Sequence, residues 1–403
     1  MESRKEALIS QGEDIFYKTY NRFPVVFERG RGVYLYDVDG EEYLDFYAGI
    51  AVNALGYADE EYTECIKKQA EHLLHISNYF YNIPSIEAGR KLADAAQMDK
   101  VFFTNSGTEA IEGALKIARK YAFNQGITEG KSEIIAMKNS FHGRSLGALS
   151  VTGNEHYQLP FQPLIPGIRF AEFNNLDSVK ALWNQNTCAV IMETIQGEGG
   201  IYPASAEFLN GVRELCSQHN ALLILDEIQC GMGRTGKMFA WQHYGVKPDI
   251  MTVAKALGNG VPVGAFLAQG KAAQVMVPGD HGTTYGGNPF VCAAASKVLD
   301  IFQSRKLAEH AEKIGKYLWE KLEEIKDQYS IIKAHRGMGL LQGLELSIPA
   351  GEILTHALLK EKLVLINAGT AIIRFVPPLI IEKEEVDEMA KRLCRAIEAA
   401  AHS

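Results

Sequence analysis

The 403-residue chain has no apolar run near the ~20 residues of a membrane-spanning helix. Its first stretch, Met1 to Gln11 (MESRKEALISQ), has no apolar core of the secretory-signal kind. Cysteine is sparse. The six (Cys65, Cys188, Cys216, Cys230, Cys292, Cys394) lie far apart without a CxxC pair, which reads as reduced thiols in a cytoplasmic protein. No HExxH, P-loop or zinc spacing occurs, and the 11 histidines are scattered, so no metal is expected. Positive charge is also short: 41 Lys and Arg against 49 Asp and Glu leave a net charge of −8. Nucleic-acid binding needs clustered cations to neutralise phosphates, so no such partner is expected, nor a membrane. Repeats and low-complexity segments are missing.

What remains is an ordinary globular composition, 47% hydrophobic and 22% charged, with 37 glycines gathered in short clusters. Val33 to Tyr36 and Tyr43 to Phe46 flank the turn Asp37 to Gly40 and read as a hairpin. Glu60 to Leu74 and Ser85 to Ala96 read as helices. Apolar runs of strand length follow at Lys100–Thr104, Glu133–Met137, Ala189–Met192, Ala221–Leu225, Ile250–Val253 and Gly264–Ala268. Continuous apolar strands between helices predict an α/β architecture with a mostly parallel sheet covered on both faces. Ligands bind such sheets beyond the carboxyl ends of the strands. After Ala293 the pattern predicts a long helical stretch to Asp327, strands at Gly339–Leu346 and Ile372–Val376, and a final helix Lys383–Ala400. These divide the chain into an N-terminal segment 1–56, a large unit 57–295 and a C-terminal α+β unit 296–403, the first packing with the last.

Three segments carry candidate chemistry. In Thr104-Asn-Ser-Gly-Thr-Glu-Ala110 a strand ends and a helix begins near Thr108. Ser106 and Glu109 have capping-box spacing, and a helix start with a glycine suits a phosphate; a plain capped helix remains the alternative. In Leu225-Asp-Glu-Ile-Gln229 two acids follow an apolar strand. A buried carboxylate needs a partner: a protonated ring nitrogen, a metal or an ordinary ion pair. In Val253-Ala-Lys-Ala-Leu-Gly258 a lysine follows a strand among small residues, a Schiff-base candidate or a snorkelling side chain. Two patterns are weighed against these. Gly231 to Gly236 matches the dinucleotide GxGxxG, the basis for a nicotinamide-dependent oxidoreductase, but lies too far from its strand and lacks a following helix. Gly143 to Gly147 matches GxSxG, the basis for a serine hydrolase at Ser145, but Ala148 to Gly153 does not read as a helix.

A phosphate cradle, an acid for a pyridine nitrogen and an amine for an aldehyde together point to pyridoxal 5′-phosphate. The sequence resembles the class III pyridoxal-phosphate aminotransferases, most of all their acetylornithine branch. The motifs are SGTEA at 106–110, SFHGR at 140–144, IQGEGG at 195–200, LDEIQ at 225–229, AKALG at 254–258, HGTTYGGNP at 281–289 and RFVPPL at 374–379. The resemblance runs from about Tyr20 to about Ile381. It implies the fold type I architecture: a large domain with a mostly parallel, seven-stranded type of sheet, a small α+β domain, and a homodimer with active sites at the interface.

It also implies residue roles. Lys255 is expected to hold the cofactor and to move the proton between substrate and cofactor carbons. Asp226 is expected at the pyridine nitrogen, Gln229 near the ring hydroxyl, and Phe141 on the ring face. Gly107 and Thr108 are expected on the phosphate, with Thr284 reaching it from the other subunit. Arg144, with Thr283 beside it, is expected on the α-carboxylate of the amino donor, and Arg374 on that of 2-oxoglutarate or L-glutamate. Glu198 is expected to cover Arg374 while the donor is bound. The implied reaction moves the δ-amino group of N2-acetyl-L-ornithine to 2-oxoglutarate, as in arginine biosynthesis. Succinylornithine, ornithine, 4-aminobutyrate and succinyldiaminopimelate are alternative donors. The sequence departs from the family pattern at Thr194, at Gly56 to Glu60 and at Asn259.

Overall fold

The structure, a computed structural model, describes residues 3–401. Strands β1 (Phe27–Arg31), β2 (Tyr34–Asp37) and β3 (Glu42–Asp45) form an antiparallel meander. The expected hairpin is β2–β3. Its turn closes on the buried Asp37 carboxylate, which accepts the N–H groups of Asp39 and Glu41, both at 3.0 Å.

The large sheet takes β4 (Lys100–Thr104), β5 (Glu133–Met137), β6 (Ile168–Ala171) and β7 (Thr187–Glu193). A two-residue pair follows, β8 (Ile195–Gln196) with β9 (Tyr202–Pro203). The sheet then adds β10 (Leu222–Asp226), β11 (Ile250–Val253) and β12 (Gly264–Ala268). The order of the 7-stranded sheet is β4-β12-β11-β10-β7-β5-β6. Only β12 runs against its neighbours. Alternate residues of each strand enter different cores. Ile135, Val190, Leu223 and Met251 face one side; Ile134, Ala189, Ile224 and Ile250 face the other. Burial on both faces is why these strands read as unbroken apolar runs. The edge strand β6 is half exposed and carries Arg169, so it gives no such run.

The helix Gly107–Asn124 lies across one face. A Cβ at Gly113 would fall 2.1 Å from the Phe266 ring, so this helix approaches β12 as only glycine permits.

The expected helical stretch after Ala293 is two helices, Pro289–Ser304 and Leu307–Gln328. The break falls at Lys306, with φ 50°, where Arg305 turns out to pair with Asp59 at 2.5 Å. A further sheet combines β13 (Ile332–Met338), β14 (Leu341–Leu346), β16 (Ile366–Asn367) and β17 (Ile372–Phe375). Between them β15 (Leu363–Val364) pairs in parallel with β3 and joins the two ends of the chain. β13 escapes a pattern search because its residues are mostly polar and half buried.

Parallel pairing aligns β7, β10 and β11, and two antiparallel pairings through β12 give β4 the same direction, so Thr104, Glu193, Asp226 and Val253 end their strands on one side of the sheet. The chemistry collects there.

Candidate active site

Beyond that edge lies a cavity of about 440 Å³, within the range of small-ligand sites. Its walls include Ser106, Gly107 and Thr108, then Phe141 to Arg144, then Glu193, Asp226, Gln229 and Lys255.

The helix at its base starts at Gly107, one residue before the sequence pattern indicates. Ser106 caps it, its Oγ accepting the Glu109 N–H at 3.3 Å. The expected capping box is modified. Glu109 reaches back past Ser106 to the N–H of Asn105, at 2.7 Å. The N–H groups of Gly107 and Thr108 belong to the first turn and have no partner within the helix, which leaves them for an anion. A Cβ at Gly107 would fall 2.9 Å from Ile228 Cδ1, so the glycine keeps the cradle open.

Asp226 ends β10 and pairs in register with Glu193 at the end of β7. Its Oδ2 accepts from His142 Nδ1 at 2.7 Å; its Oδ1 accepts the Ile228 N–H at 3.0 Å and Thr252 Oγ1 at 3.2 Å. Burial pushes the His142 pKa down, but its bond to Asp226 and the charges of Asp226 and Glu193 outweigh this and raise it. The other ring nitrogen, Nε2, is buried without a partner. Glu193 accepts the N–H groups of Phe141 and Gly197, both at 3.1 Å, and burial raises it to about 7.

Lys255 follows β11 with φ 46°, a left-handed conformation unusual for lysine and a mark of local strain. Burial, then the positive charge of Arg374, lowers its pKa to about 8. An amine poised near neutrality suits nucleophilic and proton-transfer work.

Arg374 sits in β17, 1% exposed. Its Nη1 donates to Glu198 at 2.6 Å and to Gln229 at 3.0 Å, and its Nη2 to the Asn367 carbonyl at 3.2 Å. Its Nε is buried without a partner. Gln229 therefore links the cavity wall to Arg374. Arg144 is exposed at the wall and lies 5.6 Å from the Phe141 ring centroid.

Four expected residues lie outside this wall: Arg374 and Glu198, which join it through Gln229, and Thr283 and Thr284. Thr283 Oγ1 accepts from Asn105 Nδ2 at 3.3 Å. Thr284 is exposed in the neighbouring loop. The two rejected patterns have structural explanations. Gly231 to Gly236 forms turns around a buried Arg234, which donates to the carbonyls of Leu340 and Pro377. Ser145 precedes a short helix, Leu146–Ser150, that the sequence did not indicate, but its Oγ donates to Glu112 at 2.6 Å and has no histidine partner. His142 and Glu193 are site residues that motif reading did not assign. His142 lies within SFHGR, but only the fold brings it to Asp226.

These residues fit pyridoxal phosphate. The open cradle at Gly107, the strand-end acid and the lysine of lowered pKa share one cavity, as the group's phosphate, ring nitrogen and aldehyde require.

Comparison with known proteins agrees. The model of the family described as Aminotransferase class-III matches residues 15–397. The acetylornithine aminotransferase of Clostridium acetobutylicum is 50% identical over 92% of this chain and 95% of its own. A solved ornithine aminotransferase from Toxoplasma gondii superposes with TM-score 0.95 at 32% identity, covering 99% of this chain and 96% of that one. The N-acetylornithine aminotransferase of Stenotrophomonas maltophilia gives TM-score 0.84 at 38% identity, covering 98% and 99%. With its cavity, its lysine and these likenesses together, the chain belongs to the class III aminotransferases, pyridoxal-phosphate enzymes of fold type I.

Proposed function

We propose that the protein transfers the δ-amino group of N2-acetyl-L-ornithine to 2-oxoglutarate, giving N-acetyl-L-glutamate 5-semialdehyde and L-glutamate in arginine biosynthesis. The observation that carries the reading is the unequal state of the two guanidinium groups. Arg374 is covered by Glu198 at 2.6 Å, whereas Arg144 at the cavity wall has no acid partner among the described residues. The resting site thus suits a donor that brings its amine to the cavity and its α-carboxylate to Arg144. It becomes a site for 2-oxoglutarate when Glu198 turns away and frees Arg374. The names of the relatives support the acetyl donor.

When bound, pyridoxal phosphate supplies an electron-withdrawing ring that eases removal of a proton from the substrate carbon. This chain's residues do the rest. Asp226, steadied by His142 and Thr252, would accept from a protonated ring nitrogen. Lys255 takes and returns the proton at the substrate carbon. Gly107 and Thr108 would hold the phosphate through backbone N–H groups. Phe141, at the cavity wall, would pack on the ring. Gln229, which accepts from Arg374, would serve the ring hydroxyl.

The reading includes a homodimer. Thr284 lies outside the cavity of its own chain, and exposed apolar side chains sit on its loop (Tyr285) and on the segment that Asn78 ties to that loop (Leu74, Tyr79, Phe80, Tyr81). Such a patch calls for a partner surface. The division into residues 57–295 and a small unit built from 1–56 and 296–403 is supported by the β3–β15 pairing. Six free thiols support a cytoplasmic setting. No helix among the described residues is long and apolar enough to cross a membrane.

The test is a single-turnover titration of the yellow holoenzyme with N-acetylornithine, N-succinylornithine, ornithine and 4-aminobutyrate, without keto acid. Fastest loss of the visible band with N-acetylornithine is the expected result. Faster loss with another amine transfers the reading to that donor.

A further inference from the structure

Arg144 is held by rings rather than by acids. Its Cζ lies 3.7 Å from the Tyr157 ring centroid, so the guanidinium rests directly on the phenol face. A stacked guanidinium uses its flat face and leaves its N–H edge free, whereas an ion pair occupies the edge. Arg374 is the contrast, with both terminal nitrogens already bonded within the chain.

Tyr157 is itself fixed. It belongs to the turn Glu155–Gln158, capped by Asn154 through the His156 N–H at 3.1 Å. Gln158 Nε2 donates to the carbonyls of Leu149 at 3.0 Å and Thr152 at 2.8 Å. That ties the turn to the helix Leu146–Ser150, which begins two residues after Arg144. Glu112 Oε1 accepts from Ser145 Oγ at 2.6 Å and from the Gly147 N–H at 3.0 Å. Glu112 lies on the same helix whose start forms the phosphate cradle. The ring under Arg144 and the cradle thus share one strut.

We propose that Tyr157 is a positioning residue for donor specificity: by stacking on Arg144 it presents the guanidinium edge to the α-carboxylate of an N-acylated α,ω-diamino acid. The inference rests on the reading of Arg144 given above. Without the ring, an exposed arginine samples many rotamers, and carboxylate binding bears the cost of ordering it.

The test compares holoenzyme variants Tyr157→Leu, Tyr157→Phe and Arg144→Ala. The amines are N-acetylornithine and N-acetyl-1,4-diaminobutane, the same molecule without its α-carboxylate, at saturating 2-oxoglutarate. Tyr157→Leu is expected to raise KM for N-acetylornithine about fivefold, with kcat near the wild-type value. Its kcat/KM for the decarboxylated amine stays unchanged, and so does its KM for 2-oxoglutarate in a separate titration at saturating N-acetylornithine. Tyr157→Phe keeps the ring face and restores the wild-type KM. Equal loss with both amines, a fall in kcat alone, or no rescue by phenylalanine overturns the proposal. Arg144→Ala separates the two levels. If it harms both amines alike, the donor-carboxylate reading of Arg144 fails. If it is selective and Tyr157→Leu is not, only the role of Tyr157 fails. Should the leucine variant not accumulate folded, Tyr157→Met is read the same way.

Discussion

Glu198 and Arg374 meet at 2.6 Å, and they differ in burial: the arginine side chain is 1% exposed and the glutamate 33%. The fixed partner is the buried cation, held also by Gln229 and the Asn367 carbonyl. The half-exposed acid is the partner with room to leave. An arrangement in which one charge is anchored and the other can turn to water lets one cavity take a cationic amine and a dianionic keto acid in turn.

Removing the anchored partner tests this. Arg374→Ala is expected to lower kcat/KM for 2-oxoglutarate about 10- to 100-fold, the loss of one charge-assisted hydrogen-bonded pair. The donor half-reaction loses much less. Stopped-flow measurement of the two half-reactions gives the comparison, and equal losses would count against the switch. Glu198→Ala, which uncovers Arg374, is expected to improve binding of amines that carry an α-carboxylate at the reacting end, L-glutamate among them.

Lys255 gives a pH signature. Its pKa lies near 8 instead of 10.5, through burial and the nearby charge of Arg374, so its neutral form dominates above about pH 8. In cofactor-stripped protein, labelling of Lys255 by an amine-selective reagent is expected to reach half its maximal rate near that pH. A midpoint near 10 would show a solvated lysine. Lys255→Ala is expected to abolish transamination while thermal unfolding stays cooperative.

Glu227 gives a stability signature. Its carboxylate accepts the N–H groups of Ala240 and Trp241, both at 2.8 Å, yet burial raises its pKa from 4.5 to about 7. Between those values the folded protein holds a proton that the unfolded chain has released. Its contribution is therefore full below pH 4.5 and is lost as pH rises through 7. Denaturant unfolding at several pH values is expected to show stability declining over this window. Glu227→Gln is expected to flatten the decline and to cost about 1–3 kcal/mol at neutral pH, because one of the two N–H groups loses its acceptor.

Ser145 separates the transaminase from the hydrolase that its motif imitates. Ser145→Ala removes a hydroxyl that joins Thr108 to Glu112, at 2.7 and 2.6 Å. The expected result is a loss of about 1 kcal/mol of stability with transamination retained. Complete loss of turnover with an intact fold and an intact visible band would give the serine a chemical role.

Residue order by itself determined much of this protein. The apolar runs at Glu133–Met137 and Ala221–Leu225 fall on strands because a doubly covered parallel sheet leaves no polar face. The glycine and capping serine at 106–107 are local signals, and so is a lysine or an acid directly after a strand. These interactions span a few residues, so sequence displays them. β6 and β13 were not legible: Arg169 and the polar β13 residues sit on half-buried strands whose partners lie far along the chain. The same limit hid His142 and Glu193. Nothing within SFHGR states that its histidine meets Asp226 84 residues later. Nor does spacing state that Glu193 stands beside Asp226, which is a matter of strand register. The modified cap at Asn105, the ring beneath Arg144 and the covering of Arg374 were likewise decided by tertiary structure. Their energies come from groups that meet only once the sheet has closed and β17 lies against the IQGEGG loop.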